Sequence, residues 1–310
     1  MHQRPLGATG LLVSEIGMGC NRLGEPGPPP EHWVALVRRA VELGVNIFDS
    51  SESYNWGASE SVLGEALRGY GEVLVATKVS RPGPGREPDF SSARLQQAAE
   101  ASLQRLGRDR IDIYKLHSPS RQDMQRFDWR EGMARLKRRG DIRLIGVAVN
   151  SAEDAIWLIE QRAVDVLQVT YNIFHVHARE RLFDLAVKAG VGLIGRLPLA
   201  QGVLSGKFEA GRPVPERHRA LLAGEEKAAQ RIELAEQLKP IAADYPGGMA
   251  RMAMHFALTP AAISCLIPGA RTLEQLEANV AASNGRGLDE RTAGQIEQVR
   301  AMWPRQRGWY

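Results

Sequence analysis

Apolar positions along the chain follow two rhythms that alternate. Short apolar runs of strand character occur at VNIFDS, EVLVATKV, IDIYKLH, IRLIGVAV, VDVLQVTY, VGLIGRLP and ISCLIPG. Between them, apolar residues recur at helical spacing, as in SSARLQQAAEASLQRLG and WREGMARLKRRG. Gly107 and Gly140 stand where helix C-caps require left-handed backbone. The breaker GEPGPPP precedes a first helix expected over Glu31 to Leu43. The opening RPLGATGLLVSEIGMG predicts a hairpin about the turn Gly7-Ala8-Thr9-Gly10. With SEIGMGC as the first barrel strand, the pattern gives eight β/α units. That alternation argues for a parallel sheet, and eight units favour closure over an open doubly wound sheet. Gly17-Met18-Gly19 does not continue into GxGxxG, so the open alternative lacks its dinucleotide fingerprint. The expected fold is α/β: a (β/α)8 TIM barrel with an N-terminal β-hairpin and extra C-terminal helices and loops, one domain over residues 1–310. The interval Gln201 to Pro246 reads as a long loop plus a helix near Glu225 to Leu238, and a last amphipathic helix follows Gly287.

Composition changes this picture little. At 44% hydrophobic and 25% charged, the 310 residues are ordinary globular material. The net charge of +4 is too small and dispersed to argue for nucleic acid, and fits a small anionic ligand. Cys20 and Cys265 offer neither a disulfide framework nor a zinc spacing, so a reducing compartment is expected. The N-terminus lacks an apolar signal core, and no apolar run reaches membrane-spanning length. These features predict a cytoplasmic protein without membrane contact; nothing in the pattern specifies oligomeric state.

Candidate chemistry gathers at the strand ends, where a barrel of this kind builds its site. Asp49 ends VNIFD and Tyr54 follows in a Ser-rich loop. Lys78 ends VLVATK, His117 ends IDIYKLH and Gln168 lies near the end of VDVLQ. Singly, such residues cap turns or face solvent; converging on one face they form a proton-transfer group. A phenol near pKa 10 is a weak donor at neutral pH, and lowering it by ~3 units takes ~4 kcal/mol. An exposed ion pair supplies roughly 0–1 kcal/mol. Lys78 must therefore sit beside Tyr54 in a water-poor pocket, with Asp49 holding the ammonium and His117 orienting a carbonyl or relaying a proton.

Seven segments in order, GVNIFDSSESYNWGASESVLGEAL, VLVATKV, DIYKLHSP, GVAVNS, LQVTYN, PLAQGVLSGK and IPGARTLEQLEANV, resemble the aldo-keto reductase family from about Arg4 into the last helix. The resemblance implies a nicotinamide dinucleotide and a tetrad of Asp49, Tyr54, Lys78 and His117, with Tyr54 as general acid. It places Gln168 on the nicotinamide carboxamide, with Gly19 and Cys20 beside the cofactor. Leu199, Ala200, Gly202 and Lys207 match the loop around the pyrophosphate, the first three through their backbone. Gly269 and Arg271 match the loop for an adenosine 2′-phosphate, which a guanidinium suits. Gln275 and Asn279 share a helical face and match the adenine contacts, although Thr272-x-x-Gln275 is also a capping box. Arg271 makes NADP(H) the expected cofactor, and the implied activity is reduction of a small-molecule aldehyde or ketone. The alternative is a redox-sensing, NADP(H)-binding regulatory subunit with little turnover.

The chain departs from the family at three places. Ala148 and Val149 replace a Ser-Asn pair that contacts the carboxamide; Asn150 either substitutes for it or, like Ser151, caps the next helix. Arg196 stands where an aromatic often faces the nicotinamide, and a guanidinium stacks poorly on the positively charged oxidised ring. Ala278 replaces an acidic residue near the adenine amino group. Asn21 and Trp56 are assigned to the substrate pocket, with Trp309 and Tyr310 as a possible cover over its mouth. His175-Val176-His177 has the HxH form of barrel metal hydrolases but reads as a loop without metal.

Overall fold

Eight parallel strands form the ring that the alternating rhythm predicts. The computed structural model describes residues 1–80, 87–215 and 224–304; Trp309 and Tyr310 lie outside them. An antiparallel hairpin, β1 (Gln3–Pro5) and β2 (Leu12–Ser14), precedes the ring. The ring comprises β3 (Met18–Gly19), β4 (Ile47–Asp49), β5 (Leu74–Val79), β6 (Ile111–His117), β7 (Ile142–Ala148), β8 (Val166–Thr170), β9 (Gly192–Arg196) and β10 (Ile263–Leu266). Each strand pairs with its sequence neighbour. Parallel bridges Ile16–Leu266 and Gly19–Gly269 join the first strand region to the last. Gly19 is needed at this seam for space, because a Cβ there would stand 2.6 Å from the Ile267 carbonyl oxygen.

Two-residue alternation sorts each strand between two cores. Ile47, Leu74, Ala76, Ile113, Leu144, Val166, Ile194 and Cys265 fill the barrel interior. Phe48, Val75, Tyr114, Leu116, Val147, Leu167 and Leu193 face outward into the layer shared with the helices. Burying a side chain such as Phe48 stabilises the fold by about 1.5–3 kcal/mol. The hairpin sends Leu6, Leu11 and Val13 into the interior cluster. It lies against the strand beginnings, with Ala8 N–H on the Gly190 carbonyl and Ser14 N–H on the Asn46 side chain. The opposite end, where the strands finish, stays polar.

Local capping signals bound several of the helices. The first spans Pro30–Glu42. Ser91, Ser151 and Asp289 cap the helices Ser92–Leu106, Ala152–Glu160 and Glu290–Ala301 through side-chain oxygens. Gly107 and Gly140 end helices at φ 60° and 87°, a backbone region glycine enters without a Cβ clash. The helix expected over Glu225 to Leu238 ends at Glu236, and a short one, Lys239–Ala243, follows with Pro240 in its first turn. Proline has no N–H to continue the first helix but suits the start of a second. No helix among the described residues is long and apolar enough to cross a membrane.

Candidate active site

Above the apolar interior lies a buried polar layer made by the same alternation. Asp49 follows Ile47 on the inward face, Lys78 follows Ala76, Lys115 follows Ile113 and Gln168 follows Val166. Asp49, Lys78 and Lys115 are each at most 1% exposed. Lys78 Nζ lies 2.5 Å from Asp49 Oδ1 and 2.6 Å from the Ser50 carbonyl oxygen. Lys115 Nζ bonds the other carboxylate oxygen, Oδ2. Gln168 Nε2 approaches Oδ1 at 3.4 Å. Burial alone would raise the Asp49 carboxyl, but Lys115 and then Lys78 outweigh it and hold it below the usual carboxylate range.

Tyr54 and His117 stand between this layer and solvent. The Tyr54 hydroxyl is 3.3 Å from Lys78 Nζ, and the ammonium lies 4.7 Å from the ring centre. The phenol nevertheless sits well above its ordinary pKa, through burial first and the Asp49 charge second. The nearby Arg196 charge lowers it but is outweighed, and Tyr54 is a protonated donor. Its ring meets His117 edge to face at 5.7 Å. His117 Nδ1 bonds Ser80 Oγ at 2.7 Å and Ser51 Oγ at 3.1 Å, which leaves Nε2 for a substrate oxygen. Burial and then Lys78 push its imidazolium down to about 3. His117 is therefore neutral, and its pKa is lower folded than unfolded. Between the ordinary 6.5 and about 3 the unfolded chain binds the extra proton, so this contribution to stability is complete above 6.5 and is lost as pH falls. A flat turnover rate between about pH 5 and 7 is expected, with part of the acid instability removed in His117→Gln. A kinetic pKa near 6.5 that this substitution abolishes would overturn the assignment.

Around the mouth, Arg196 is bonded through Nη2 to the Val149 carbonyl at 3.1 Å and Asn150 Oδ1 at 2.8 Å, and through Nε to Thr170 Oγ1 at 3.1 Å. Ser151, rather than Asn150, caps the following helix, which frees Asn150 for the arginine. In the turn Ala200–Ser205, Ala200, Gln201 and Gly202 have φ of 47°, 58° and 96°. The Ala200 and Gly202 N–H groups donate to the Leu197 and Leu199 carbonyls within the turn. A Cβ on Gly202 would stand 3.1 Å from Lys207 Nζ, so the lysine lies directly over the glycine. Cys20 is fully buried, its thiol on the Met18 carbonyl at 3.4 Å, whereas Asn21 and Trp56 are exposed. Trp56 is 85% exposed at φ 57°, beside Tyr54 rather than walling an enclosed pocket.

The last loop folds back on itself. Gly269 faces Gly19 across the seam, and its carbonyl accepts from Asn279 Nδ2 at 3.2 Å. Gln275 Oε1 accepts from the Arg271 N–H at 2.9 Å, and its own N–H bonds Thr272 Oγ1, which realises the capping role. Arg271 Nη2 lies 2.6 Å from both carboxylate oxygens of Glu25. His175 and His177 have no companions for a cation: no group of His, Cys, Asp or Glu among the described residues has metal-holding geometry.

One buried acceptor tests whether a nicotinamide suits this mouth. Gln168 Oε1 has no hydrogen-bond partner among the described residues, while its Nε2 faces Asp49. A carboxamide NH2 is the donor such an oxygen requires. The residues present therefore fit the group. Four residues of the site escaped the sequence reading: Lys115, Ser51, Ser80 and Glu25. Lys115 and Ser80 were accessible to the two-residue period, which puts them on the inward face with His117 and Lys78 respectively. Glu25, 246 positions from Arg271, had no local signal.

Comparison with known proteins bears on this geometry. The family model "Aldo/keto reductase family" matches residues 15–301. L-galactose dehydrogenase of Arabidopsis thaliana is 30% identical over 96% of this chain and 93% of its own. The NADH-specific methylglyoxal reductase of Escherichia coli strain K12 is 28% identical over 92% of this chain and 94% of its own. The holo form of an aldo-keto reductase from Bacillus halodurans superposes with a TM-score of 0.79 at 27% identity, covering 96% of each chain.

Proposed function

The chain belongs to the aldo/keto reductase family, and from that premise we propose that it reduces an aldehyde or ketone to the alcohol with NADPH, Tyr54 supplying the proton. The observation that carries this reading is the Tyr54 hydroxyl 3.3 Å from the Lys78 ammonium. When bound, the dinucleotide supplies a hydride to the carbonyl carbon. The rest falls to this chain. Neutral His117 donates a hydrogen bond to the carbonyl oxygen through Nε2. As negative charge builds on that oxygen, the Tyr54 O–H transfers its proton. The phenolate left behind faces Lys78 Nζ, which stabilises it far more than it stabilises the phenol. Only such differential stabilisation accelerates the step. Gln168 would hold the carboxamide, and Arg196 and Asn150 would border the ring. Leu199, Ala200, Gly202 and Lys207 would border the pyrophosphate. Gly19, Gly269, Arg271, Gln275 and Asn279 would border the adenosine, with Asn21 and Trp56 at the substrate's entry. The test is oxidation of NADPH and of NADH over a panel of aldehydes and ketones. No turnover with either cofactor sinks the reading.

The form of the cofactor turns on one ion pair. A guanidinium suits a 2′-phosphate, which favours NADP(H). Glu25 sits on Arg271, however, and a carboxylate near the ribose favours NAD(H). Glu25→Gln is expected to tighten NADPH binding by roughly 3- to 10-fold and to leave NADH binding nearly unchanged, as read by calorimetry. An unchanged ratio of the two affinities would remove Arg271 from the 2′-phosphate site.

A further inference from the structure

In the polar layer beneath Tyr54 the family tetrad leaves the Lys115 charge unused. Lys115 is 0% exposed and shares the Asp49 carboxylate with Lys78, each ammonium on its own oxygen. The barrel makes room for it: a Cβ on Gly146, the neighbouring position of β7, would stand 2.7 Å from Lys115 Cγ. A lysine interior to a barrel is costly unless paired, and among the described residues its only carboxylate partner is one already bonded to Lys78.

We propose that Lys115 is a positioning residue acting through Asp49: by taking one carboxylate oxygen it leaves the Lys78 ammonium under-neutralised beside Tyr54, so the site is cationic where the oxyanion forms. This rests on the carbonyl reduction proposed above. With Lys78 alone, the pair with Asp49 would sum to zero charge and its field at the phenol would largely cancel. With both lysines protonated the trio sums to one positive charge, a fixed stabiliser of phenolate and alkoxide. Asp49 from β4, Lys78 from β5 and Gln168 from β8 face this layer, and β7 presents Gly146. The thiols of Cys265 and Cys20 stay neutral, raised by burial. His117, farther along β6, is neutral too. Burial pushes the Lys115 ammonium down to about 8, Asp49 opposing and Lys78 reinforcing the shift. The extra charge is thus lost as pH rises through about 8.

The test uses the whole protein, wild type and Lys115→Met. That variant keeps Asp49 paired with Lys78 and leaves no charge unpartnered, so it is expected to fold. Gly146→Ala, which crowds the Lys115 stem, is the second variant should the first fail. Carbon-13 labelling of the lysine ε carbons gives seven signals. One of them, absent in Lys115→Met, is expected to titrate near 8 without any substrate present. In turnover, the wild type is expected to lose reduction rate through the same pH range. Lys115→Met is expected to be roughly tenfold slower at pH 7, with the alkaline fall removed and the carbonyl KM little changed. A Lys115 signal that stays ammonium-like to about pH 10, or superimposable pH–rate profiles, overturns the proposal. If no carbonyl is reduced, the reductase reading fails, and the lysine titration still decides whether Lys115 carries a switchable charge.

Discussion

Tyr54→Phe is expected to slow carbonyl reduction by roughly 10²–10⁴-fold, the usual contribution of a positioned general acid, while cofactor affinity stays within about twofold. Phenylalanine keeps the ring and its edge-to-face contact with His117, so packing is preserved and only the O–H is removed. Nothing else in the mouth replaces it. Lys78 Nζ is engaged by Asp49 and the Ser50 carbonyl, and His117 is neutral with Nδ1 bonded to serines. Stopped-flow measurement of hydride transfer separates the chemical step from product release. Full activity in the variant would show that the proton comes from elsewhere and would undo the assignment of Tyr54. Loss of cofactor binding alongside rate would instead make the hydroxyl a binding contact.

The second large effect is on stability. Asp49→Asn removes the carboxylate between two buried ammonium groups. Breaking a buried ion pair from one side costs about 3–5 kcal/mol because the remaining charge stays buried and unpaired. A fall in Tm on the order of 10 °C follows for a chain of this length. Lys115 can relieve part of the loss by shedding its proton, since Asp49 is what opposes its downward shift. The deficit relative to wild type is therefore expected to shrink as pH rises toward about 8, where the wild-type Lys115 loses its proton too, and to level off above it. Thermal scans of both proteins from mildly acidic to alkaline pH read this directly. A deficit independent of pH, or none at all, would mean the layer is not held by charge.

The ring was legible because two periods, near 3.6 and 2, each repeat over many residues, and caps such as Ser91 and Gly107 punctuate them locally. Asp49, Lys78 and His117 were legible because polar residues interrupt apolar runs at strand ends, and the structure does bring them and Tyr54 together. Lys115 was missed although it obeys the same rule, because IDIYKLH was read as an apolar run closed by His117 alone. Interior position, not strand end, was the relevant variable. The serines on His117 were hidden in a polar loop where any hydroxyl looks like solvation. Partnerships between distant segments, such as Glu25 with Arg271 and Arg196 with Asn150, leave no trace in spacing. Phenol acidity was misjudged for a related reason. The proximity of a lysine was foreseeable, but the degree of burial that raises the phenol was not.

The seam where Gly19 meets Gly269 also sets an order of assembly. Asp49, Lys78 and Lys115 come from three successive strands, the outermost pair 66 positions apart. The bridge between Ile16 and Leu266 closes a loop nearly four times as long. Loop-closure entropy and contact order put such short-range pairings ahead of long-range ones in folding. On a chain growing from its N-terminus, the proton-handling strands emerge well before the segment that carries Arg271. The half of the site that moves protons is thus a local product of synthesis. The half that would grip adenosine waits for the ring to shut.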